Sequence, residues 1–300
     1  MWFERQVDHP TALPVEAREA ASRYRYVFVA GFLNEGFRLG YFYDNRKALL
    51  EAGIRPDAIH VIFPRSGNGV EENVALLRQS IPDLAARGPQ KLVLIAHSKG
   101  AVEALAFVAA APAFVRDRVQ AVFLVQGAFG GTSVADYVAG GGHPLDDRMP
   151  VRRRVELAIA VKGGKLLDPW IDDGVQSLTH RRAGDFWNQV LPAAGAPGAT
   201  SRLPQETTDK IFFVRSLRDP DKVSTLIAAT ASYLHIYYGD NDGLLEVNDQ
   251  WIAGTGQILA TLDADHFTLT IARPVSNQPS RTRRAFTRGL LMQVAGAFGP

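Results

Sequence analysis

Apolar and polar positions along the chain group into short apolar runs separated by longer amphipathic stretches. Runs of about four to eight apolar residues, bounded by glycine or polar turns, predict strands buried on both faces. Such runs occur at 24–32, at His60-Val61-Ile62-Phe63-Pro64, at 91–97, at 119–127, at 232–239 and at 258–262. Helical spacing fills the intervals. Arg46 to Ala52 stops near Gly53, Glu71 to Ala86 ends before Gly88, 99–111 follows the third run, and a terminal helix spans about 283–297. Strands alternating with helices at short spacing predict an α/β fold, a mostly parallel central sheet with helices on both faces.

The alternation breaks after Gly127. Phe129 to Asp136 reads as a glycine-rich turn into a short helix, and residues 140–210 lack strong strands. Pro150 to Val161 starts on proline and is followed by Gly163-Gly164, the punctuation of a helix. Its apolar positions, Val151, Val155, Ala158 and Ile159, are expected to face inward, opposite Arg152, Arg153 and Arg154. A second helix is expected over about 174–188, and a loop over 192–198. The domain reading is therefore an arm at 1–23 with a short helix near Val15 to Ser22, a core formed by 24–137 and 211–300, and a helical cap or lid insertion at 138–210.

Composition narrows the class of protein. The 300 residues are 46% hydrophobic and 21% charged, ordinary for a globular enzyme. With 33 basic and 31 acidic residues the net charge is +2, which gives no argument for a nucleic-acid partner. The basic cluster Arg281, Arg283, Arg284 and Arg288 reads as a solvated helix face. The absence of cysteine excludes disulfides, a thiol nucleophile and thiolate-bound metal. The first residues lack the apolar core of a signal peptide, and no run is long enough to cross a bilayer. The expected location is cytoplasmic for the chain as it stands, or secreted if a leader was removed.

The candidate chemistry is centred on Leu94-Ile95-Ala96-His97-Ser98-Lys99-Gly100. A buried strand runs into a serine and then directly into a helix. This layout projects a hydroxyl from a sharp turn, and only small flanking residues such as Ala96 and Gly100 fit there. A serine so placed needs a base and an acid. In chain order, Ser98 is followed by Asp242, in a loop after an expected late strand, and His266, after the last strand. Six other histidines compete for the base. His97 adjoins the serine but is expected to point away along its strand; His60 and His235 fall in expected strands; His9, His143 and His180 lie in irregular or cap regions. Asp240 and Asp265 rival Asp242, which Gly243 favours by suiting a tight turn. The backbone N–H groups of Phe32, in the loop after the first strand, and of Lys99 are the expected donors to an oxyanion. No metal cluster or phosphate-cradling loop stands out.

These stretches resemble the bacterial true lipases of the α/β-hydrolase superfamily. The elbow 94–100 carries the likeness. So do Gly130-Gly131-Thr132-Ser133-Val134-Ala135-Asp136, the segment Gln176-Ser177-Leu178-Thr179 through Phe186-Trp187-Asn188, and Asn241-Asp242-Gly243-Leu244. The resemblance spans about residues 24 to 270. It implies an α/β-hydrolase fold, a Ser98–Asp242–His266 triad, hydrolysis of small-molecule carboxylic esters or lipids, and a lid, for which Pro150 to Val161 is the candidate. It also implies transient contact with a lipid interface through the cap. A structural calcium in such lipases binds through an aspartate two residues after the histidine. Thr268 stands there, which argues against calcium without excluding it, and no other cofactor is expected. Ala96 and Gly31-Phe32 replace the family's usual Gly and His-Gly. An acyltransferase on the same triad, or a non-catalytic binding protein on the same fold, are the alternatives.

Overall fold

The computed structural model describes residues 2–9, 11–158, 172–191, 203–272 and 274–296. Its strands are β1 (Arg25–Val29), β2 (Ile59–Ile62), β3 (Leu92–His97), β4 (Val119–Val125), β5 (Ile211–Leu217) and β6 (Gln257–Asp263). They form one sheet in the order β2-β1-β3-β4-β5-β6, with every neighbouring pair parallel. The inner strands β1 and β3 are buried along their whole length, whereas the outer strand β2 is half-buried and β6 mixes buried and half-buried positions with exposed ends. That gradient explains why the inner strands read as unbroken apolar runs.

Helices cover both faces, and each face has its own apolar cluster. On one side lies Lys99–Ala110, which is buried from Lys99 to Val108, with the amphipathic helix Val70–Ala86 packed against it. On the other side Ser280–Val294 packs against Tyr43–Glu51, Trp2–Asp8 and Val15–Ala21. The expected arm is thus more than a loose extension. Phe3 and Val7 recur at helical spacing, are buried, and Phe3 meets Phe286 edge-on at 6.0 Å.

Three expectations are corrected. The run at 232–239 is helix as far as Tyr237, the end of Ala228–Tyr237, and the fifth strand is Ile211–Leu217. Aromatic and branched residues there favour a strand, but Ala229, Tyr233 and Leu234 bury together against Met149 and Leu157, a helical face. His235 is accordingly an exposed helix residue. The stretch 174–188 is two helices, Asp172–Gln176 and His180–Val190, because Thr179 caps the second by accepting the Arg182 N–H at 3.4 Å. The helix over 151–158 has Leu157 buried, while Val151 and Val155 are 65% and 54% exposed, so its face is rotated from the one expected. Ile159 to Val161 and the loop 192–198 lie outside the described residues.

The basic cluster is corrected as well. Arg283 is fully buried, and its Nε donates to Asp44 Oδ2 at 2.6 Å. Arg284 pairs with Glu51 at 2.7 Å. The cluster ties the terminal helix to Tyr43–Glu51 in addition to meeting solvent.

The topology fixes where a ligand can bind. From β1 the chain moves outward to β2, then returns to β3 on the other side of β1. Crevices form at the carboxyl ends of strands where the order reverses in this way. Here those ends are Ala30-Gly31-Phe32 and His97-Ser98.

Candidate active site

Ser98 sits between β3 and the helix Lys99–Ala110 with φ 57° and ψ −129°. A non-glycine residue held in such a conformation costs on the order of 1–3 kcal/mol, and the surrounding packing must impose it. The glycines on either side show how. A Cβ on Gly31 would lie 2.6 Å from Ser98 Cβ, and a Cβ on Gly100 would lie 2.4 Å from the Ala30 carbonyl oxygen. Neither position accepts a side chain, so the end of β1 closes directly over the turn. This brings the Gly31–Phe32 loop against Ser98. Lys99 is the first residue of its helix, so its N–H is one of the donors that a helix start leaves without an intrahelical partner.

The three residues expected from distant parts of the chain meet at this point. Ser98 Oγ and His266 Nε2 are 2.9 Å apart, and His266 Nδ1 lies 2.9 Å from Asp242 Oδ2. All three are buried, Ser98 least so at 8% exposed. Asp242 is held from several directions. Its Oδ1 accepts the N–H groups of Leu244 and Leu245 at 3.0 and 2.9 Å, and its backbone carbonyl accepts the His266 N–H at 2.8 Å. Because Asp242 accepts at Nδ1, His266 carries its proton there and offers Nε2 as an acceptor to the serine hydroxyl.

Neither rival carboxylate reaches the histidine ring. Asp240 is exposed. Asp265 Oδ2 accepts from the N–H and hydroxyl of Ser224, and its Oδ1 accepts from Phe267 and Thr268. The Thr268 hydroxyl is among those donors, at 2.7 Å. With both Asp265 oxygens occupied and a threonine where a carboxylate is required, this position does not fit a calcium ion.

His97 does not point idly along its strand. Its Nε2 donates to the His266 carbonyl at 3.0 Å, and its Nδ1 accepts from the Tyr41 hydroxyl at 2.6 Å. Tyr41 in turn accepts the Gly31 N–H at 2.9 Å. One buried chain therefore ties the Gly31 loop to the loop carrying His266. Burial, reinforced by the neighbouring His266, pushes the His97 pKa well below the ordinary imidazole value, so His97 is the neutral ring this network requires.

Tyr41, His97 and Gln126 were not predicted as supports of the site. Gln126 is fully buried at the end of β4 with φ 49°, and its Nε2 donates to Ser216 Oγ at 2.5 Å and to the Asp265 carbonyl at 3.0 Å. Its position one residue past an apolar strand is the only sequence signal it gives. Among the described residues, one group of histidine and carboxylates is gathered closely enough to hold a metal ion: His180, Glu246 and Asp249. None of the three was expected to do so.

The fold is the α/β-hydrolase fold, as expected. Solved structures with which it superimposes include a metagenomic carboxyl esterase, MGS0156, at 21% identity and TM-score 0.64, covering 92% of this chain and 77% of that one. Another is the lipase BlEst2 of Bacillus licheniformis in its mature form, at 17% identity and TM-score 0.55, covering 82% of this chain and 85% of that one. No protein-family profile matches the sequence, and no curated protein matches it. Among the described residues, no helix is long and apolar enough to cross a membrane.

Proposed function

We propose that this chain is a serine hydrolase of the esterase or lipase kind, which cleaves carboxylic esters through an acyl-enzyme on Ser98. The observation that carries the reading is the relay of two 2.9 Å contacts from Ser98 through His266 to Asp242, set on a strained turn at the strand ends. The fold shared with a carboxyl esterase and a lipase is consistent with it.

The chemistry follows from the geometry. As Ser98 Oγ attacks the ester carbonyl, its proton passes to His266 Nε2. Asp242 holds the tautomer and stabilises the imidazolium that forms. The carbonyl oxygen becomes an oxyanion, which the N–H groups of Phe32 and Lys99 receive. Collapse of the tetrahedral species expels the alcohol, which takes the proton from His266. Water then repeats the sequence on the acyl-enzyme and releases the acid. We assign the helix over 151–158, with its exposed Val151 and Val155, to the contact of the cap with a lipid surface.

The test is hydrolysis of p-nitrophenyl esters of increasing acyl length by the wild type and by Ser98→Ala. Wild-type turnover should fall by roughly 10⁶-fold in the variant, that is, to background. The chain-length profile separates an esterase from a lipase. Equal turnover by both proteins would remove Ser98 from the mechanism, and none by either would overturn the hydrolase reading.

A further inference from the structure

We propose that His180, Glu246 and Asp249 form a binding site for one divalent transition-metal ion of the zinc type, made of side chains other than Ser98, Asp242 and His266 and structural in role. One nitrogen and two carboxylate oxygens from these side chains lie within 4.8 Å of one another. Two observations independent of that clustering point to a cation.

The first is an oxygen that lacks a partner. Glu246 is 7% exposed. Its Oε1 accepts the Ser133 N–H at 3.1 Å, but Oε2 is buried with no hydrogen-bond partner among the described residues. A buried carboxylate oxygen left unpaired is costly, and a metal ion relieves that cost.

The second is the way His180 is held. Asp136 grips it twice, with Oδ2 2.5 Å from Nδ1 and Oδ1 accepting the backbone N–H at 3.1 Å. A carboxylate on Nδ1–H fixes the tautomer in which Nε2 carries a free lone pair, the usual outer support of a metal-bound histidine. That Nε2 stands 3.5 Å from Asp249 Oδ2. Two ligand atoms each about 2.1 Å from a tetrahedral zinc are separated by about 3.4 Å.

The backbone accommodates this approach at a double glycine. A Cβ on Gly130 would lie 2.0 Å from Asp249 Oδ1, and one on Gly131, where φ is +95°, would lie 2.7 Å from the His180 backbone nitrogen. Any side chain at either position would push the ligands apart. The Gly130-Gly131 turn, the start of the His180 helix and the continuation of the Asp242 loop thus converge on one point. With 37% and 27% of their side-chain surface accessible, His180 and Asp249 leave a path for an ion to enter. One imidazole with two carboxylates, and water in a fourth position, matches zinc better than calcium, which takes six or more oxygens. A protonated His180 bridging Asp136 and Asp249 is the metal-free alternative, but it leaves Glu246 Oε2 unpaired.

The test uses the full chain, stripped with a chelator and titrated with zinc chloride in a calorimeter, with unfolding midpoints measured with and without zinc. One ion per chain should bind at micromolar or lower concentration and raise the midpoint. Glu246→Gln should weaken binding by at least about ten-fold, on the scale of losses at metal-site supports. Anomalous diffraction at the zinc edge from the wild type should place the ion against His180 Nε2 and Glu246 Oε2, and this holds as a test even if the variant does not fold. No saturable zinc binding, calcium bound in preference to zinc, or an anomalous peak elsewhere would each overturn the assignment.

Discussion

His266 and His180 are the same side chain in two settings that begin alike. Each has Nδ1 against an aspartate, Asp242 at 2.9 Å and Asp136 at 2.5 Å. They differ in what the other nitrogen meets. For His266 it is the Ser98 hydroxyl, in a pocket that leaves the histidine only 3% exposed. For His180 it is the Asp249 carboxylate, with Glu246 beside it, so three carboxylates surround one half-exposed ring. Hydrogen bonding to Asp249, with Asp136 adding to it against the opposing effect of burial, raises the His180 pKa to about 9 when no cation is present. An imidazole between one anion and a neutral hydroxyl is suited to moving a proton. An imidazole in a ring of anions is suited to holding positive charge. The two settings share one loop, since Asp242 and Asp249 lie seven residues apart on the same turn-rich segment.

The most direct way to break the comparison is to make the same change to both aspartates. Asp242→Asn should lower kcat for ester hydrolysis by about 10⁴-fold, because the amide no longer enforces the tautomer His266 needs. Asp136→Asn should instead weaken zinc binding by roughly 10–100-fold, read by calorimetric titration. If Asp242→Asn retains near wild-type kcat, His266 is not the working base. If Asp136→Asn binds zinc undiminished, the two histidines are not held by the same logic.

A smaller effect tests the support specific to the His266 side. Tyr41→Phe leaves the Gly31 N–H and His97 Nδ1 without their partner, which should cost about 1–3 kcal/mol in urea unfolding. No loss would mean that the buried chain between the two loops contributes nothing to stability.

A further effect is a pH slope that belongs to neither histidine. Burial raises the Glu103 carboxyl to about 7, against the opposing pull of Lys99 and Asn73. A carboxyl raised on folding supports the fold most fully below its unfolded pKa, and that contribution is lost as pH rises from about 4.5 towards 7. Stability measured across that interval should fall with pH in the wild type and fall less in Glu103→Gln. An unchanged slope would assign the pH dependence to another group.

The strands β1, β3 and β4 and the serine turn were legible because buried parallel strands read as unbroken apolar runs, and because Ala96 and Gly100 leave room for a sharp turn between strand and helix. β5 was missed although Ile211-Phe212-Phe213-Val214 is as apolar as β4, while Tyr233-Leu234-His235-Ile236-Tyr237 resembled a strand and is helix. Short aromatic runs do not declare their period. Asp242 was therefore found by its turn residues and its order after Ser98, not by the strand thought to precede it. His97 and Tyr41 gave no signal as supports, and Gln126 only its place one residue past an apolar strand, since support of a site depends on which loops meet. The His180 cluster was invisible for the same reason: its ligands come from two segments, and its orienting aspartate and double glycine from a third.

The central claim is that Ser98 is a nucleophile activated by His266. It is tested most directly by incubating the intact protein with a fluorophosphonate, which phosphonylates activated serines, and mapping the adduct by peptide mass spectrometry. A single adduct per chain on the peptide carrying Ser98, absent from His266→Ala, is the predicted result. An unmodified protein, or an adduct on any other residue, would contradict the account.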